Sequence, residues 1–301
     1  MDFHGDLEAY IGGRSSLIQI VSHEWEVVEG TITRVIRSLD DGREYLKWSE
    51  SMGVQFFENG EPKELTEEQR AEFATLNDPV RVLQWYVGDP GKEGQGAFGY
   101  DKSSILHLED VHLFMDANHP EYITLVSWLR MAARMHLSGS KATRNIVLGT
   151  TQASYVQELD KEMPVLDLPL PDSENLGKVM DDCIKEANAL GMEIPEPSAE
   201  DRSDLIDSAK GLTVMEANLA YAKAIHVHKE LTASQIPYIL NEKKQIIRRT
   251  GILEFIEPGD QEVGGLGALT KWLGTRKEGF SREAEDFGLE YPRGLLLLGF
   301  P

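Results

Sequence analysis

Basic residues, cysteine and long apolar runs are all scarce in this chain. It has 30 Lys and Arg against 51 Asp and Glu, a formal charge of -21. Such a surface repels phosphate backbones and anionic lipid, so nucleic-acid and membrane-surface binding are not expected. A single cysteine, Cys183, excludes an internal disulfide and fits a reducing, cytoplasmic setting. No segment reaches the ~18 apolar residues of a membrane span. The first residues, Met1-Asp2-Phe3-His4-Gly5-Asp6, carry no basic stretch and no apolar core, so no secretory leader is expected. A complete G-x-x-x-x-G-K-[ST] phosphate loop is also missing. The Gly-rich stretch Gly88-Asp89-Pro90-Gly91-Lys92-Glu93 fails as one. Glu93 stands where a hydroxyl is needed, and the stretch leads from a helix into a strand rather than the reverse. It reads as a loop.

What is present is an alternation of apolar strands and helical patterns. Residues 16–21, 45–48, 104–108, 145–149 and 164–168 read as five strands, with helices between them opened by signals such as Asp78-Pro79. Continuously apolar strands separated by helices predict a parallel α/β sheet covered on both faces. The first strand ends in Ser22-His23-Glu24-Trp25-Glu26, where a phosphate-binding fold would have its glycine loop. Carboxylates and an indole there predict the fold without the phosphate site. The third strand, Ile105-Leu106-His107-Leu108, ends in Glu109-Asp110. This is the shape of the acidic strand end that holds Mg²⁺ in phosphoryl-transfer enzymes, here read as a degenerate, solvated end.

After Asp172 the pattern is helical. Four helices are expected over 173–250, the third opened by the capping box Thr213-Val214-Met215-Glu216. Leu212, Met215, Leu219 and Ala222 are expected on its apolar face. Then come Pro258-Gly259-Asp260, expected to be a protease-sensitive linker, and Glu262-Val263-Gly264-Gly265-Leu266-Gly267, which lacks the third Gly of a dinucleotide fingerprint. The chain ends Pro292-Arg293-Gly294, four leucines and Gly299-Phe300-Pro301. His107, Glu109 and His112, or His226 and His228, match no recognised metal-ligand spacing. Cys183 reads as a packed thiol.

The Val-Gly-Gly-Leu turn and the later Gly-x-Pro resemble the start of an AAA+ ATPase domain. Leu212-Thr213-Val214-Met215-Glu216-Ala217-Asn218 and the segment from Glu242 to Phe255 are similar to one AAA+ subfamily. It is the conserved reading frame of algal plastids, cyanobacteria and other bacteria. The resemblance covers nearly the whole chain. It implies a degenerate P-loop-NTPase-like α/β domain over 1–172, a helical lid over 173–250, and a linker and incomplete ATPase-domain start over 251–301. It implies adenine contacts at Val263 and Gly264 and a phosphate-loop start at Gly299. The expectation is a chain truncated at that loop, which alone hydrolyses no ATP and carries no catalytic residue or metal site. The intact parent would use ATP and Mg²⁺, assemble as a ring, most simply a hexamer, and remodel an unknown protein partner. It would sit in the cytoplasm, or the stroma if plastid-encoded. Two other readings stand beside it. One is an assembly or substrate-recruiting module that binds no nucleotide. The other is a small-molecule enzyme at the strand ends, which a convergent set of buried titratable groups there would favour.

Overall fold

The computed structural model describes residues 3–13, 15–58, 60–88, 102–134, 143–153, 156–249 and 266–281, with residues 284, 287–289, 294 and 295. Two compact units divide the chain, Met1–Lys243 and Lys244–Pro301.

In the first unit, helix α1 (Phe3–Gly12) precedes strand β1 (Leu17–Val21), and α2 (Trp25–Leu39) follows it. Strands β2 (Glu44–Ser49), β3 (Gly53–Glu58) and β4 (Glu61–Pro62) come next, then helices α3 (Glu67–Phe73) and α4 (Pro79–Val87). Strand β5 (Ser104–Leu108), α5 (Tyr122–Ala133), β6 (Arg144–Thr150) and β7 (Val165–Asp167) complete this layer. The expected helix starts are built as their residues dictate. Thr66 and Gln69 form a reciprocal capping box on α3, and Asp78 accepts from Arg81 N at 2.8 Å with Pro79 in the first turn of α4.

The sheet has seven strands in the order β4-β3-β2-β5-β6-β1-β7. All five expected strands are present and mutually parallel, in the order β2-β5-β6-β1-β7. The five-strand expectation is corrected by two more, β3 and β4, which extend the β2 edge antiparallel. Gly53, at a φ of 66°, turns the chain into β3, a conformation favoured by a residue without Cβ. Val54 and Phe56 then alternate inward while Gln55 faces outward, the period of a half-covered strand.

Each central strand feeds two cores. Leu17, Leu46, Trp48, Leu106, Ile146 and Leu148 pack on α4 and α5, while Ile18, Ile20, Tyr45, Ile105 and Val147 pack on α1 and α2. Burial on both faces is what makes these strands read as unbroken apolar runs.

The four helices after residue 172 are α6 (Ser173–Ala189), α7 (Ala199–Ala209), α8 (Val214–His228) and α9 (Ile236–Arg249). The expected face of α8 is corrected. Met215 and Leu219 are exposed, and the buried side is Ala217, Ala220, Tyr221, Ala224 and Ile225. Small residues let α8 approach α6 closely, so the packed stripe is poorer in large apolar side chains than the outer one. In the second unit, α10 (Gly267–Lys277) is exposed along its length, with Arg276 stacked 3.8 Å over the Trp272 ring. Among the described residues no helix is long and apolar enough to cross a membrane.

Candidate functional site

Ligands of open parallel sheets bind at the carboxyl ends of the strands. Here that edge is formed by the ends of β1, β5, β6 and β2. The turn after β1 is closed by its own side chains. Ser22 Oγ accepts from Glu24 N at 2.8 Å, and α2 begins at Trp25 without a side-chain cap. Glu24 is buried at 6 % exposure, and its Oε1 accepts from Met215 N at 2.8 Å. Its carboxylate is committed to the amino end of α8.

Trp25 turns its indole inward. The ring meets His107 edge-on, with centroids 6.2 Å apart. A Cβ on Gly149 would lie 3.1 Å from this indole and 2.7 Å from His107 Nε2, so Gly149 is required by close packing at the end of β6. His107 is fully buried. Its Nδ1 meets Tyr45 Oη at 3.0 Å, and its Nε2 has no hydrogen-bond partner among the described residues. Burial, helped by the Lys47 charge, pushes its pKa down from 6.5 to about 3, so the ring is neutral at ordinary pH. Burial, with the charges of Glu29 and Glu109, likewise raises Tyr45 well above the usual phenol range.

Glu109 and Asp110, the acidic strand end, part company. Glu109 N donates to Trp48 O at 2.9 Å, and its carboxylate lies 3.1 Å from Lys47 Nζ. Lys47 also pairs with Glu29 of α2. Burial would lower the Lys47 pKa, but the hydrogen bonds to Glu29 and Glu109 outweigh it and the pKa is raised. Asp110 adopts a φ of 54° and is half-buried, 3.9 Å from His112 Nδ1. His112 Nε2 in turn meets Thr151 Oγ1 at 2.9 Å.

The groups of this edge are engaged with one another, one ammonium being shared by two carboxylates. A phosphate needs free backbone N–H groups and space at the first turn; that turn holds an indole and an engaged carboxylate. A divalent cation needs available oxygens; Glu109 already shares an ammonium. The residues of this edge do not fit a Mg²⁺–nucleotide pair. Lys47 and Glu29 were not singled out from sequence. A lone lysine inside the apolar strand Tyr45-Leu46-Lys47-Trp48 was the available signal, since a buried ammonium demands carboxylate partners. Buried titratable groups do converge at the strand ends, as a small-molecule enzyme would require. They are spent on one another, with His107 walled in by Trp25, Tyr45 and Gly149.

The metal alternatives are not assembled. His107 lies on β5 and Glu109 just past its end, but His107 packs against Trp25 of α2 while His112 turns to Thr151. No group of three or more His, Cys, Asp or Glu that could hold a metal occurs among the described residues. His228 packs on Tyr238 at 4.5 Å. Cys183 is buried, and burial followed by the charges of Glu186 and Asp182 pushes its thiol up to about 11, against a nucleophilic role. Val263, Gly264 and Gly299 lie outside the described residues, as does the expected linker.

Family comparison supplies what this geometry alone does not. Residues 3–168 match the model of the SpoVK-like AAA ATPase N-terminal domain, and residues 174–250 match that of the SpoVK-like AAA ATPase second domain. The ycf46 AAA domain-containing protein of Guillardia theta is 27 % identical over 301 residues, covering 99 % of this chain and 53 % of the relative. The ycf46 protein of Trieres chinensis is 30 % identical over 249 residues, covering 77 % and 49 %. The chain thus spans about half the length of these curated relatives. Among solved structures, the FIGL-1 AAA domain in complex with ADP superimposes with a TM-score of 0.48 at 10 % identity, over 86 % of this chain and 77 % of that one.

Proposed function

Because this chain belongs to the SpoVK-like AAA ATPase family, we propose that it forms the N-terminal part of an ATPase whose first α/β domain has surrendered its own nucleotide site. In this reading the domains divide at 172 and 250, as the sequence pattern suggests. The intact protein binds ATP and Mg²⁺ at its later ATPase domain, where Val263, Gly264 and Gly299 would contribute. It assembles as a ring, hexameric by family analogy, and spends hydrolysis on remodelling a protein partner. The first domain then acts as a fixed platform. It sits in the cytoplasm, or in the stroma for a plastid-encoded member.

One observation carries the platform reading. At the end of β1, Trp25 is packed inward and the buried Glu24 carboxylate is committed to α8, so the turn offers an anion little room and a like charge. Carboxylates beside a triphosphate would add repulsion on the order of 1–3 kcal/mol each at about 6 Å.

Calorimetry of the 301-residue chain with ATP, with and without Mg²⁺, tests this. No binding heat is expected at concentrations where the full-length protein binds and turns over ATP. A dissociation constant in the low micromolar range that persists after substitution of Gly299 would refute it. If the full-length protein binds no nucleotide either, the second reading holds, an assembly module without ATP chemistry. The apolar, exposed Met215 and Leu219 on the outer face of α8 favour that reading as a contact surface.

A further inference from the structure

Glu24 and Met215 are 191 residues apart in the chain, yet joined by a hydrogen bond of 2.8 Å. A carboxylate withdrawn from water needs strong compensation. Glu24 receives a charge-assisted bond at the positive end of a 15-residue helix. The amino end of α8 is built to leave that bond open. Thr213 Oγ1 accepts from Glu216 N at 3.3 Å, and Glu216 Oε2 accepts from Thr213 N at 2.9 Å. This box satisfies the first and fourth amides of the terminus and leaves Met215 N for an acceptor from elsewhere. The sheet supplies it. Glu24 is itself held by the turn, through Ser22 Oγ.

The bond also sits where the two layers would part. Glu24 and Val214 line one cleft of about 640 Å³, together with Phe3, Val27, Leu168 and Val179. One wall comes from α1, α2 and the segment after β7, the other from α6 and the start of α8. We propose that Glu24 is a built-in anion that fixes the orientation of the helical layer on the strand ends. Where an anion-binding α/β fold closes around its ligand, this chain closes around its own carboxylate. The orientation is thereby constant rather than ligand-dependent. The proposal rests on the Glu24–Met215 contact and stands whether or not the intact protein hydrolyses ATP.

The test uses the 301-residue chain with Glu24→Gln and Glu24→Ala. Glu24→Gln keeps the shape and removes the charge. Two quantities are read. One is amide hydrogen exchange at Met215. The other is the distance distribution between spin labels at Met52→Cys and Leu190→Cys, both exposed positions, in a Cys183→Ala background. Exchange at Met215 should quicken by about tenfold or more in Glu24→Gln, the loss of one charge-assisted bond. The label distances should broaden, further still in Glu24→Ala. Secondary structure by circular dichroism should hold in Glu24→Gln. Wild-type exchange and wild-type distances in a folded Glu24→Gln overturn the proposal. A Glu24→Ala chain that does not fold leaves the decision to Glu24→Gln.

Discussion

The buried His107 makes stability depend on pH from above the range in which most carboxylates titrate. Its folded pKa is depressed from 6.5 to about 3, first by burial and then by the Lys47 charge. Between those values the unfolded chain holds a proton that the folded chain excludes. The sign follows from linkage. The contribution is complete above about pH 6.5, falls as pH drops below it, and goes on falling to about pH 3. At about pH 5 the loss is about 2 kcal/mol, and at about pH 7.5 it is close to zero. Asp181, held low by its hydrogen bond to Arg202, loses its contribution as pH falls through and below its ordinary 3.8, beneath the interval from about pH 7.5 to about pH 5. The perturbation is His107→Gln, which keeps a polar group beside Tyr45 and cannot titrate. Urea unfolding followed by tryptophan fluorescence, at about pH 7.5 and about pH 5, gives the slope for each protein. The variant is less stable at the higher pH, but its stability should drop by about 2 kcal/mol less on acidification. An equal drop in both proteins would refute the assignment of a neutral, desolvated His107.

The neighbouring ion triad and the close approach at Gly149 give two further outcomes. Lys47→Met should destabilise by about 1–3 kcal/mol, because Glu29 and Glu109 are left facing each other while largely withdrawn from water. Adding Glu29→Gln and Glu109→Gln to it should recover most of the loss in urea titrations; no recovery would show that packing of the lysine stem dominates. Gly149→Ala should cost about 1–3 kcal/mol, since the new methyl meets His107 Nε2 at 2.7 Å and Trp25 at 3.1 Å. Pairing it with Trp25→Leu should reduce that penalty, and a larger penalty in the double variant would contradict the geometry.

The sheet was legible because burial on two faces writes itself into sequence. Ile18, Ile20, Ile105 and Val147 serve one core while Leu17, Leu106, Ile146 and Leu148 serve the other, so β1, β5 and β6 are predominantly apolar on both faces. The β3–β4 extension was harder to see. Its strand is half-covered, and only Val54 and Phe56 mark the buried face. α8 misled for a related reason. Its packed stripe consists of alanines around Tyr221, whereas Met215 and Leu219, the larger apolar residues, point outward. Periodicity finds a face by hydrophobicity, but close helix packing selects it by size.

The candidate site divides along the same line. That the turn after β1 would not hold a phosphate followed from Glu24 and Trp25 themselves, since both chemistry and bulk oppose an anion. Where these side chains go did not follow, because their partners are remote in sequence. Trp25 meets His107, Glu109 meets Lys47, and Glu24 meets Met215. Each partner is unremarkable in its own segment: a histidine in a strand, a lysine among apolar neighbours, a methionine after a capping threonine. Together they give the strand ends no net demand for a ligand. Each carboxylate withdrawn from water there has a partner within the chain, and of the two buried ring nitrogens without a hydrogen bond among the described residues, His107 Nε2 and His112 Nδ1, the first belongs to a ring held neutral by its surroundings. A site of this kind resists both nucleotide and cation for the same physical reason: binding would first have to break internal pairs whose desolvation is already compensated.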